Sequence, residues 1–87
     1  MYVVVQHKIK DPANFFERGQ RCVPNAPRTL RAHQYLPAQD ATAAICLWEG
    51  PSVDAIASYI DSTLGDASDQ SYFAVDAEYS LGLPAAV

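Results

Sequence analysis

Apolar and polar positions along this chain fall into six blocks, separated by proline, glycine and short polar turns. Residues 2–10 open with YVVV, β-branched and aromatic, then turn polar at QHKIK, and read as a strand. Asp11-Pro12 supplies an N-cap followed by proline at the first helical position. A short helix then runs through NFFERGQRC, with Phe15 or Phe16, Gly19 and Cys22 on one face, until Pro24 stops it. Residues 29–36, TLRAHQYL, alternate, with Leu30, Ala32 and Leu36 on one side and Arg31, His33 and Tyr35 on the other. The tip PAQD joins this strand to ATAAICLWE, whose near-continuous apolar run reads as a strand buried on both faces. Gly50-Pro51-Ser52 opens a second helix, with Pro51 near N1 and Asp54 complementing the helix dipole. Its apolar stripe is Val53, Ile56, Ala57, Ile60 and Leu64, and Gly65 supplies the C-cap. Residues 71–79 alternate again and predict a last strand, with Phe73, Val75, Ala77 and Tyr79 inward and Tyr72, Asp76 and Glu78 outward. The tail LGLPAAV has no period of its own.

The order is β-α-β-β-α-β, the ferredoxin-like split βαβ pattern, which makes the chain an α+β domain spanning residues 1–87. That fold has an antiparallel four-stranded sheet in the order 4-1-3-2, with its first and third strands central. The two strands that read as continuously apolar are the first and third, and the two that alternate are the second and fourth. Right-handed crossovers place both helices on one face of the sheet. The other face stays open, yet Val3-Val4-Val5 and Ala43-Ala44-Ile45 send apolar side chains both ways. An apolar sheet face of that kind predicts a homodimer stacked through the open face, which also enlarges a small core.

Charge and composition narrow the function classes. The chain has 87 residues, 49% of them hydrophobic, and a net charge of −4, which speaks against nucleic acid as a partner. No apolar run is long enough for a membrane helix, and the N-terminus is apolar first and basic afterwards, the reverse of a secretory signal. All six basic residues lie within the first 31 positions, so the two ends of the chain carry opposite charge. This asymmetry reads either as internal charge complementarity or as a cationic patch for an anionic ligand. Cys22 and Cys46 stand far apart, with no CxxC motif. Free cysteines behave as small hydrophobes and agree with a reducing, cytoplasmic setting.

Candidate chemistry is sparse. Phosphate-binding loops, nucleophile elbows and HExxH motifs are all missing. His7 lies near the polar end of the first strand and His33 midway along the second. With the third strand between them they stand about 10 Å apart, too far to share one ion within a monomer. A cleft between helices and sheet, lined by aromatics, is the alternative way to hold a small ligand. The candidate pocket residues are His7, Phe16, His33, Trp48 and Tyr59, with His7 also the candidate metal ligand.

The element order and open sheet face resemble the dimeric α+β barrel superfamily. Locally, ICLWEGPSVDAI at residues 45–56 is similar to the strand-to-helix signature of a family of small ferredoxin-like proteins that includes a nickel-binding member. There the metal ligands are histidines near the first strand, the region that His7 matches in VQHKIK. The resemblance implies a homodimer that binds a small ligand, with a divalent transition metal such as Ni²⁺ as one ligand class. The wider superfamily also implies a second reading, a cofactor-independent monooxygenase acting on a small aromatic substrate. A third reading is a structural or interaction module without a ligand.

Overall fold

The computed structural model describes residues 1–84. Its elements follow the predicted order: β1 (Tyr2–Ile9), α1 (Pro12–Cys22), β2 (Arg31–Pro37), β3 (Ala43–Glu49), α2 (Val53–Leu64), a 3-10 turn (Gly65–Ala67) and β4 (Ser68–Ala74). The strands pair in the order β2-β3-β1-β4, every neighbouring pair antiparallel, which is the ferredoxin-like arrangement. No helix among the described residues is long and apolar enough to cross a membrane.

Local signals set the helix boundaries. The Asp11 carboxylate accepts the Asn14 N–H at 3.2 Å, so α1 starts at Pro12, where a missing N–H leaves nothing unpaired. For α2 the cap is Ser52, whose hydroxyl accepts from the Ala55 N–H at 3.0 Å; Pro51 therefore precedes the cap rather than sitting at N1. Gly65 ends α2 at a φ of +57°, a conformation only glycine adopts without strain. Between helices and sheet, Ile56, Ile60 and Leu64 of α2 and Phe15 and Cys22 of α1 pack on Val3 and Val5 of β1 and Ala44, Cys46 and Trp48 of β3. Each fully buried aliphatic side chain there stabilises the fold by about 1.5–3 kcal/mol.

The third strand, expected to be buried on both faces, leaves Ala43 and Ile45 exposed, and the two edge strands depart from the expected alternation. In β2, Arg31 opposes Glu49 and Ala32 opposes Trp48, but a bulge at His33 then brings Gln34 opposite Leu47 and Leu36 opposite Ile45. The extra residue reverses the alternation. Leu30 and Ala32 face the helices as expected, whereas Leu36, 59% exposed, turns to the other side.

The fourth strand lies at Ser68–Ala74 rather than at 71–79. Its helix-facing positions are Ser68, Gln70 and Tyr72, opposite Ile9, His7 and Val5. Phe73 therefore points away from the core at 50% exposure, and Tyr79, expected inward, is 81% exposed beyond the strand. The 3-10 turn sets this register, because the Ala67 carbonyl accepts both the Lys10 and Asp11 N–H groups, at 2.9 and 3.0 Å. The side without helices thus carries Val4, Leu36, Ile45, Leu47 and Phe73. After β4 the chain returns over this side: the Gln34 amide donates to the Gly82 carbonyl at 3.3 Å, and Leu81 and Leu83 line a depression with Ile45, Leu47 and Phe73.

Candidate functional site

Strand periodicity puts His7 on the same face as Val3 and Val5, and that face is the one beneath the helices. His7 is buried, and the Phe15 ring meets it edge-on at 5.2 Å between centroids. Its Nδ1 lies 3.2 Å from Gln70 Oε1 and its Nε2 3.2 Å from Cys46 Sγ. Neighbouring groups fix where the protons sit. The Asp61 carboxylate takes the Gln70 amide N–H at 3.1 Å and the Tyr72 hydroxyl at 2.6 Å, so Gln70 turns its Oε1 inward. There it accepts from the Ser68 hydroxyl and from His7 Nδ1–H. The Nε2 lone pair is left to accept the Cys46 thiol proton.

The order of groups is that of a thiol–imidazole–amide relay, but it is held neutral. Burial lowers the His7 pKa from its ordinary value against the opposing pull of the Gln70 bond and the Asp61 charge. Burial likewise pushes the Cys46 thiol up to about 12, with the nearby Cys22 acting in the same direction. Proton transfer from sulfur to ring would create two charges in an apolar core, so the pair is a neutral hydrogen bond.

Beside this pair, between α1 and the sheet, is a cavity of about 40 Å³. Phe15, Gly19 and Cys22 form its roof, and His7, Cys46, Trp48, Ala32 and Tyr35 line it from the strands, with Ile60 and Leu64 of α2 closing one side. Its origin is a sequence feature. Positions 15, 19 and 22 share the inward face of α1, and a Cβ placed on Gly19 would meet no atom within 4 Å. The void stands where the helix lacks a side chain. It admits a ligand of a few heavy atoms, whereas a benzene ring occupies an apolar cavity of about 150 Å³.

Of the five predicted pocket residues, His7 and Trp48 line this cavity and the other three do not. Phe16 packs edge-on against Phe15 with centroids 5.4 Å apart. Tyr59 leans on Trp48 at 6.2 Å, and its hydroxyl donates to the Cys22 carbonyl at 2.6 Å, tying α2 to the end of α1. His33 occupies the bulge on the opposite side of the sheet. Its Nε2 lies 2.9 Å from Glu49 Oε1 and its ring tilts against Tyr2 at 5.6 Å. The two histidines are thus separated by the sheet itself. Cys46, Gln70 and Asp61 were not among the predicted site residues. The sequence signal that could have pointed to the cavity is Gly19 between Phe15 and Cys22 on the inward face of α1.

Among the described residues no group of three His, Cys, Asp or Glu side chains is placed to hold a metal ion. A metal on His7 would have to displace Gln70 or Cys46 from the ring, so within one copy these residues do not fit a metal centre. Compared with family models, with curated proteins and with solved structures, the chain matches none.

Proposed function

We propose that the chain is a small-ligand-binding protein that works as a homodimer in a reducing compartment such as the cytoplasm. Its ligand has a few heavy atoms and sits beneath α1, beside the His7–Cys46 pair. The observation that carries this reading is the void under Gly19 adjoining the buried imidazole and thiol. Glycine inside a helix costs about 0.5–1 kcal/mol relative to alanine, and here it leaves open space where a side chain would fit. Binding is favoured over covalent catalysis because the thiol keeps its proton at neutral pH. An aromatic substrate is less well supported, since the cavity is smaller than a benzene ring requires. The two buried free thiols agree with a reducing setting. Dimerisation is supported by exposed Leu36, Ile45 and Phe73 on the helix-free side and by the resemblance to dimeric α+β barrels.

Thermal shift with azide, dimethyl sulfide and Ni²⁺ tests the ligand, since a molecule that binds only the folded chain raises its melting temperature. At least one should stabilise the wild type and leave Gly19→Leu, whose side chain fills the void, unmoved. Equal shifts in both proteins, or none in either, reject the cavity as the site. A Ni²⁺ shift that vanishes in His7→Ala would make the ligand a metal. Sedimentation should give twice the 9.5 kDa monomer mass, and Phe73→Asp should lower it to one. A wild-type monomer rejects the dimer.

A further inference from the structure

We propose that a second site, at the start of the sheet, binds a small oxyanion, a phosphate or carboxylate group, through Arg28 and Arg31. Three of the six basic residues are paired: Lys10 with Asp69 at 3.1 Å, Arg18 with Asp66 at 3.3 Å and Arg21 with Glu17 at 2.9 Å. Arg28 and Arg31 have no carboxylate within ion-pair distance among the described residues. Both line one cleft of about 350 Å³ with polar walls, which Thr29, Glu49, Gly50 and Met1 complete.

The frame of this cleft is rigid although its arginines are exposed. Leu30, between them in sequence, is buried, and its N–H closes a turn on the Pro27 carbonyl at 3.0 Å. Gly50 lies so close that a Cβ on it would sit 2.7 Å from Leu30 Cδ2. Met1 and Gly50 are tied by bonds in both directions, Gly50 N–H to the Met1 carbonyl at 3.0 Å and the Met1 amine to the Gly50 carbonyl at 2.9 Å. The Glu49 carboxylate in the cleft is engaged by His33, which holds its pKa below the usual range, with the Met1 ammonium and then Arg31 contributing further. Two guanidinium groups against one engaged carboxylate leave the cleft net positive on a chain of charge −4. A guanidinium fork matches the two-oxygen edge of a phosphate or carboxylate.

The test is calorimetric titration of inorganic phosphate and of acetate at matched ionic strength. It compares wild type, Arg28→Gln, Arg31→Gln and the double variant, each checked by its melting curve. Saturable binding is expected in the wild type, weakened at least about tenfold in the double variant at an unchanged melting temperature. Stronger binding of phosphate assigns a phosphate ester as the ligand class, and stronger binding of acetate a carboxylic acid. Absence of saturable binding by either anion, or equal affinity in the double variant, overturns the proposal.

Discussion

The two sides of the sheet are built from alternate residues of the same strands and end in opposite conditions. Toward the helices, β1 offers Val3, Val5 and His7 and β3 offers Ala44, Cys46 and Trp48, all buried. Toward the other side the same strands offer Val4, Ile45 and Leu47, joined by Leu36 and Phe73 from the edges; Leu47 is buried, but Ile45, Leu36 and Phe73 stay largely exposed. Apolar character does not separate the sides; what covers them does. The dry side even holds the polar pair Cys46–His7, which runs out to the surface through half-buried Gln70 and exposed Asp61, with each polar group partnered. Burial tolerates polarity when hydrogen bonds are complete, and apolar surface by itself does not bring burial.

Truncation on each side gives the largest test of this contrast. Ile56→Ala, at a side chain with no exposure, should cost about 2–5 kcal/mol in urea unfolding, and Ile45→Ala, 46% exposed, less than about 1 kcal/mol. Equal losses would mean that the second side is as well packed as the first. Gly50→Ala comes next: its new Cβ would stand 2.7 Å from Leu30 Cδ2 and 3.1 Å from Ile56 Cγ1, an overpacking worth about 1–3 kcal/mol by the same measurement.

His7→Leu leaves the Cys46 thiol and the Gln70 amide short of a partner, a loss of about 1–3 kcal/mol. It should also change the response to acid. Because burial lowers the His7 pKa below its ordinary 6.5, the unfolded chain takes up a proton that the folded ring refuses. Wild-type stability therefore falls as the pH drops below about 6.5, and urea titrations across pH 5–7 should show a shallower fall in His7→Leu. Gly19→Ala has the smallest expected effect, a gain of about 0.5–1 kcal/mol in thermal melts, since its methyl group enters empty space. A loss there would show that the helix closes onto the cavity in solution.

Local chemistry made most of the fold legible in the sequence. Asp11-Pro12 and Gly65 act within one turn of helix and the Ile56–Ile60–Leu64 stripe within three, and each was readable without knowledge of the remaining chain. The fourth strand was misplaced because Phe73 and Val75 alternate as a core strand does, although they belong to the helix-free side. Period alone carries no label for which side is covered. The real inward positions, Ser68, Gln70 and Tyr72, are polar or amphipathic and earn their place through bonds to Asp61 and His7. Of the predicted site residues only His7 and Trp48 line the cavity, and Gly19 was read as a helix-face position rather than as part of a site. Cys46 and Gln70 lie 39 and 63 residues from His7 in sequence, and only the pairing of three strands brings them together.

The bulge at His33 makes β2 a strand of two phases, and the number of residues in it acts as a switch. With the extra residue present, Tyr35 falls opposite Cys46 and its side chain closes the cavity, while Leu36 falls opposite Ile45 on the far side. Remove one residue there and the parity inverts, carrying the phenol out and the Leu36 isobutyl group in. Whether the Tyr35 phenol belongs to this cavity is therefore decided by counting residues along an edge strand, and a single-codon deletion would rebuild that wall without altering any residue that lines it from β1, β3 or either helix.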